Sequence, residues 1–251
     1  MLIIATDLDG TFLGGTDADK ANLYRLIRQN DEVKLIFVTG RGLESVKPLF
    51  TELSFPRPDY IICDVGATVV DGKDLEPFEP LQSTIAMKWP GSAVVRGKLE
   101  TVSNLRYQEV PQSRRCSFFY NDQTELQKLY EIASSLECEV VISAGRFLDV
   151  LPKGISKGST LVKLVESLQY NEADILVAGD TMNDFSLYDT GFRGVVVGEA
   201  EESLVEAVKG MKSVYVSKTA GAGGILEAME KFTELNHYLP DTAAFKSRLP
   251  L

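Results

Sequence analysis

After Met1 the chain opens on an apolar run, LIIATDLD, that ends in acids and meets a turn at Gly10. An unbroken apolar run of this length reads as a strand buried on both faces. From Asp17 to about Asn30 the period changes, with Leu23, Leu26 and Ile27 at i, i+3 and i+4 and Thr16 standing where an N-cap belongs. VKLIFVTG then predicts a second strand, and GLESVKPLFTEL a helix interrupted by Pro48. PDYIICDVGATVVDG predicts a strand, a turn at Gly66 and a short further strand.

The same alternation returns late in the chain. STLVKLVESLQ sets Leu161, Leu164, Val165 and Leu168 on one helical stripe, followed by strand DILVAGD and a short helix from Asn183. Strand RGVVVG, helix ESLVEAVKG and strand SVYVS follow, then a last helix, GGILEAMEKFTEL, with Ile225, Met229 and Phe232 on one face; the pattern fades after Asn236. Between Leu81 and Leu151 the pattern differs: a helix-like stretch, strand CSFFY, helix TELQKLYEIASSL, then strands ECEVVIS and RFLDVLP joined by a hairpin around Ala144 and Gly145. The expected fold is α/β, a Rossmann-like parallel-sheet core over residues 1–80 and 153–251 with an α+β module inserted at 81–152.

Charge and scarce residues narrow the chemistry. The 251 residues carry 26 Lys and Arg against 36 Asp and Glu, a formal net charge of −10, which argues against nucleic acid or an anionic membrane as partner. No run approaches the roughly 18–20 apolar residues of a membrane span, so a soluble, cytoplasmic protein is expected. His237 is the one histidine, and a His-centred triad would have to use it; acid and base work therefore falls to carboxylates. Cys63, Cys116 and Cys138 are widely spaced with no C-x-x-C pair, and reduced, buried thiols are expected.

Four short stretches carry candidate chemistry, and each has a plain structural alternative. TDLDGTF sets Asp7 and Asp9 two apart at a strand's carboxyl end, on one face of an extended chain, where open α/β sheets bind ligands; a solvated loop with a helix cap is the alternative. FVTGRG offers the Thr39 hydroxyl and, at Gly40, a backbone amide open to an anion, or simply a strand-ending turn. Lys157 precedes a helix whose first amides could share an anion with it, or is a solvated lysine. GDTMND ends a strand at Asp180 and opens a helix with Asn183 and Asp184, which could be caps alone. Brought to one sheet edge, Asp7, Asp9, Asp180 and Asp184 would crowd, and a hard cation such as Mg²⁺ best explains such a cluster.

TDLDGTF, FVTGRG, SKGSTLVKL and GDTMND, in that order, resemble the four motifs of the haloacid dehalogenase superfamily of phosphohydrolases. One helix and one strand fill the stretch from Asp9 to Thr39, whereas the stretch from Thr39 to Lys157 has room for a cap, which resembles the branch whose cap follows the second motif. SAGRFLDVLPKGISKG, RGVVVGEAEESL and GAGGILEAMEKF are more narrowly similar to sucrose-phosphate and mannosylfructose-phosphate phosphatases, with Glu199 a departure where those families commonly have Asn.

The resemblance implies a Mg²⁺-dependent phosphatase of a small phosphorylated sugar. Asp7 would be the nucleophile and Asp9 the acid and base. Mg²⁺ would be held by Asp7, the Asp9 backbone carbonyl and Asp180, with Asp184 and Asn183 orienting that shell. Thr39, an amide near Gly40 and Lys157 would take the phosphoryl charge. Arg41, Arg115, Ser117, Arg146 and Asp149 are the candidate sugar contacts, with Arg114 and Arg115 alternatively a basic surface pair. The implied substrate is a disaccharide phosphate such as sucrose phosphate, then mannosylfructose phosphate or another sugar phosphate. A phosphomutase and a catalytically silent sugar-binding protein are the rival readings.

Overall fold

The computed structural model describes residues 1–239. Its strands are β1 (Leu2–Thr6), β2 (Val33–Val38), β3 (Tyr60–Cys63), β4 (Thr68–Asp71), β5 (Arg106–Tyr107), β6 (Cys116–Phe119), β7 (Cys138–Ser143), β8 (Phe147–Pro152), β9 (Ile175–Gly179), β10 (Arg193–Gly198) and β11 (Val214–Ala220). The α-helices are α1 (Asp17–Gln29), α2 (Leu43–Val46), α3 (Leu81–Met87), α4 (Ser92–Leu99), α5 (Leu126–Ser135), α6 (Lys157–Ser167), α7 (Phe185–Tyr188), α8 (Glu202–Ala207) and α9 (Gly221–Lys231).

The first apolar run is the centre of a seven-stranded sheet ordered β11-β10-β9-β1-β2-β3-β4, parallel except for β4, which folds back on β3. Side chains alternate across a strand, so β1 feeds two separate cores. Leu2 and Ile4 pack with Leu23, Leu26 and Ile27 of α1 and Ile225 and Met229 of α9. Ile3 and Ala5 pack on the opposite face with Leu161, Leu164 and Val165 of α6. Thr6 lies opposite Phe37 of β2 and Ala178 of β9. The loops that begin at Asp7, Thr39 and Asp180 therefore leave the sheet side by side, which is the geometry that makes a site at its carboxyl edge.

A second, four-stranded antiparallel sheet, β5-β6-β8-β7, is covered by α4 and α5 and has its own apolar cluster, including Val95, Leu99, Phe118, Leu129 and Leu148. The expected β7–β8 hairpin is present, paired from Cys138 with Pro152 to Ser143 with Phe147, and turns through left-handed Ala144 and Gly145. The three cysteines are free and buried. Among the described residues no helix is long and apolar enough to cross a membrane.

The structure departs from the sequence pattern at two places. Helix α3, expected in the insertion, buries Leu81 and Ile85 in the apolar cluster of the large sheet instead. The last helix ends at Lys231, not Leu235, and a 3-10 turn over Thr233–Tyr238 buries Leu235 and Tyr238 where the helical period gives out. The tail from residue 240 lies outside the described residues. On α9, Glu227 accepts hydrogen bonds from the hydroxyls of Tyr215, Ser217 and Thr219 on β11. Burial would raise its carboxyl, but these bonds and one from the Thr219 amide outweigh it and pull the group down to about 2.

Candidate active site

Lys157, the first residue of α6, is fully buried, so the solvated reading is excluded. Ser156 caps that helix in a reciprocal capping box with Ser159, which fixes the helix start. Gly158 then lets the helix close on the turn after Asp184, since a Cβ there would stand 1.8 Å from the Ser186 carbonyl oxygen. From this position Lys157 Nζ donates to Asp7 Oδ1 and Asp184 Oδ1, each at 2.6 Å. Burial alone would strip the proton from Lys157, and the carboxylates of Asp184 and Asp7 outweigh it and hold the ammonium above the usual lysine range. Asp7 is pushed up, first by burial, against the pull of Lys157, and further by Asp184 and Asp180.

Asp7, Asp180 and Asp184 each bring a carboxylate oxygen within 4.8 Å of the others. Asp184 is already committed: one oxygen holds Lys157, and the other accepts the amides of Asp180 at 3.1 Å and Thr181 at 3.0 Å. Asp180 Oδ1 accepts from the Thr11 hydroxyl at 2.7 Å. Burial, partly offset by that bond, pushes the Asp180 carboxyl up to about 6. Gly10, at φ 77°, passes so close that a Cβ would lie 2.2 Å from Asp180 Oδ2. Asp7 and Asp180 each thus keep one oxygen that accepts no hydrogen bond from the described residues. Two spare carboxylate oxygens, held by a rigid shell and kept clear by a glycine, suit a small divalent cation that keeps several waters, as Mg²⁺ does.

Asp9 does not join this cluster through its carboxylate. Leu8 is helical and opens a tight turn, so the two-residue alternation that would set Asp9 beside Asp7 is broken. The Asp9 carboxylate, largely exposed, instead makes a two-pronged pair with Arg41, Nε to Oδ2 at 2.8 Å and Nη2 to Oδ1 at 2.5 Å. Thr39 is buried at the end of β2, its hydroxyl oxygen accepting the Arg41 amide at 3.1 Å. Gly40 faces Asn183, whose buried Oδ1 has no hydrogen-bond partner among the described residues.

Above this edge lies a cavity of about 310 Å³ lined from the large sheet by Asp9, Gly40, Arg41 and Asn183, and from the small sheet by Arg115, Ser117, Phe147 and Asp149. Its size is at the lower end of the about 300–1,000 Å³ of small-molecule sites. Arg115 is buried, not a surface cation, and donates from Nη1 to Asp149 Oδ1 at 3.2 Å, which also accepts from the Ser117 hydroxyl at 2.5 Å. Arg146 does not line the cavity; it is exposed, its guanidinium 4.6 Å from the centre of the Phe147 ring.

Two carboxylates absent from the sequence reading join the two sheets. Asp64, at the end of β3, lies 3.7 Å from Arg115 Nε. Glu201 accepts the Ala144 amide of the β7–β8 turn at 2.9 Å with one oxygen and the Met182 amide at 3.2 Å with the other. Asp64 was findable, since it is an acid at a strand's carboxyl end like Asp7 and Asp180; Glu201 carries no such signal.

The family described as sucrose-6F-phosphate phosphohydrolase matches residues 1–233. Glucosylglycerol-phosphate synthase of Pseudomonas anguilliseptica is 47% identical over 232 residues, 92% of this chain but 31% of that protein. This chain thus spans about a third of that relative's length. Mannosylfructose-phosphate phosphatase of Agrobacterium fabrum is 29% identical, covering 90% of this chain and 95% of that one. Among solved structures, the sucrose-phosphatase of Synechocystis sp. PCC6803, in complex with sucrose and phosphate, superposes with a TM-score of 0.81 at 25% identity over 92% of this chain and 98% of that one. With the motifs, the fold and a match that runs through nearly all the described residues in agreement, the chain belongs to the sucrose-6F-phosphate phosphohydrolase family.

Proposed function

We propose that this protein is a Mg²⁺-dependent phosphatase of phosphorylated glycosides, with glucosylglycerol phosphate its first candidate substrate and sucrose phosphate and mannosylfructose phosphate next. The observation that carries the reading is the buried Lys157 clamped between Asp7 and Asp184 beneath a cavity lined from both sheets. The order of substrates follows similarity: 47% identity to a protein named for glucosylglycerol phosphate against 29% to one named for mannosylfructose phosphate. In this reading the catalytic core comprises residues 1 to about 88 and 153–239 of the described chain, because α3 packs on the large sheet, and the insertion from near Trp89 to 152 is the cap.

Asp7 attacks phosphorus in line, forming a P–O bond to its carboxylate as the bond to the sugar oxygen breaks, and a water then cleaves the aspartyl-phosphate. Asp9, released from Arg41, gives its proton to the departing oxygen and takes one back from the water. Lys157, the Thr39 hydroxyl and the amide near Gly40 face the phosphoryl oxygens and offset their charge. Asp7, Asp180 and the Asp9 backbone carbonyl would hold the magnesium ion, which when bound supplies two positive charges to the phosphoryl oxygens. Asp184 acts behind them, keeping Lys157 and the Asp180 backbone in place. Arg115, Ser117 and Asp149 present polar groups to the glycoside.

The test is phosphate release from glucosylglycerol phosphate, sucrose phosphate, mannosylfructose phosphate and hexose monophosphates, with Mg²⁺ and then with EDTA. Metal-dependent release with the highest kcat/KM on a glycoside phosphate is expected. A preference for hexose monophosphates would overturn the substrate class, and isomerised sugar phosphate without net release would indicate a mutase.

A further inference from the structure

Asp64 occupies a place that costs energy to build. It and Val65 are consecutive non-glycine residues in the left-handed region, at φ 52° and 55°. Such strain is rare, most of all for a β-branched valine, and persists only where the surroundings impose it. Here the Asp64 amide donates to the Arg41 carbonyl at 2.9 Å and the Val65 amide to the Thr39 carbonyl at 3.1 Å, so the strained turn is anchored to the loop that carries two candidate site residues. It aims a fully buried carboxylate across the boundary between the sheets at Arg115, itself 5% exposed.

The pair is incomplete. Asp64 Oδ2 accepts the Thr68 hydroxyl at 2.8 Å, but Asp64 Oδ1 and Arg115 Nε, 3.7 Å apart, are both buried and lack a hydrogen-bond partner among the described residues. Leaving two buried polar atoms unpaired is costly, and a guanidinium between two carboxylates, Asp64 behind it and Asp149 beside it, is held by charge from both sides. Arg115 lines the cavity and Asp64 does not.

We propose that Asp64 is a positioning residue that sets affinity for the glycosyl part of the substrate by holding Arg115 at the cavity wall. The inference rests on the proposed glycoside phosphatase function. The Asp64 carboxylate reaches the substrate through Arg115, and it makes the core, not the insertion alone, responsible for where that guanidinium stands.

The experiment compares wild type, Asp64→Asn, Arg115→Gln and the double variant on glucosylglycerol phosphate and on para-nitrophenyl phosphate, which has no glycosyl group. Asparagine tolerates the left-handed backbone and keeps an oxygen for Thr68, so it removes chiefly the charge. For Asp64→Asn the expected result is a KM for the glycoside phosphate raised by about tenfold or more, with a loss on that substrate several times the loss on para-nitrophenyl phosphate. The double variant should match Arg115→Gln in KM within about twofold, because the two residues act as one unit. Equal losses on both substrates, an unchanged KM, or KM effects that multiply in the double variant would each overturn the role. Wild-type protein that cleaves para-nitrophenyl phosphate but no glycoside phosphate would overturn the proposed function and this inference with it.

Discussion

Replacing Lys157 by Met keeps much of the side chain's volume and removes its charge from the most enclosed point of the site. Lys157 has no exposed side-chain surface, and its partners Asp7 and Asp184 are 7% and 0% exposed, so the cluster is largely shielded from solvent screening. Breaking a buried pair by deleting one partner costs about 3–5 kcal/mol, because the other charge is left uncompensated. For a chain of this size each kcal/mol moves the midpoint about 2–4 °C, so a fall of about 6–20 °C is expected in EDTA. Lys157 itself is charged in both folded and unfolded chains from pH 6 to 9, but burial already pushes Asp7 up to about 8 and loss of the ammonium pushes it further, so the variant folds with Asp7 protonated and its loss should grow as pH rises through about 8. The assay is urea and thermal unfolding of Lys157→Met beside the double variant with Asp184→Asn, which removes one stranded charge and should recover part of the loss. Phosphate release should fall by about 10²–10³-fold, the usual cost of losing one donor that offsets transition-state charge. A single variant within about 0.5 kcal/mol of wild type would refute the electrostatic account of this cluster.

Asp7→Asn should leave a folded protein that has lost at least about 10³-fold in turnover, and unchanged phosphate release from the purified variant would remove Asp7 as nucleophile. Asp180→Ala should raise the Mg²⁺ concentration for half-maximal activity by about 10–100-fold; an identical Mg²⁺ titration would remove that ligand assignment. Glu227 is pulled down to about 2 when folded, so its contribution is present above its unfolded value of about 4.3 and is lost as pH falls toward 2. Being partly solvated it is worth about 1 kcal/mol, so the stability gap between wild type and Glu227→Gln should be full at pH 6, narrow below about pH 4 and close near pH 2, and a gap that ignores pH would count against it.

The core and the motif residues were legible because both are written in local pattern. Apolar runs gave way to acids where β1 and β9 end, and the strand order then brought Asp7 and Asp180 together. Asp9 was misplaced because one helical residue, Leu8, breaks the strand period, and a loop conformation of that kind has no signature in spacing. Arg115 and Arg146 look equivalent in sequence; only the register of β6 against β8, with Ser117 opposite Asp149, turns the first inward beside a carboxylate. Asp64 hides behind a valine in a conformation valine rarely takes, and Glu201 meets Ala144 across 57 residues of chain. Helix α3 follows the same logic, since its apolar stripe does not say which of two sheets will cover it.

The position of β1 in the sheet also bears on how the molecule is made. Everything on one side of it, β2 to β4, is synthesised before the insertion, and everything on the other, β9 to β11, after it. Lys157 and Asp7 are 150 residues apart and Thr11 and Asp180 169, so the contacts that complete the site close very long loops. Non-local pairings of this kind form slowly and late. On a ribosome, the first half of the sheet and the insertion can emerge and gather while Asp7 still waits at an open edge; the chain becomes competent only when the segment through Asp184 has been released and β9 has docked beside the strand that was made first.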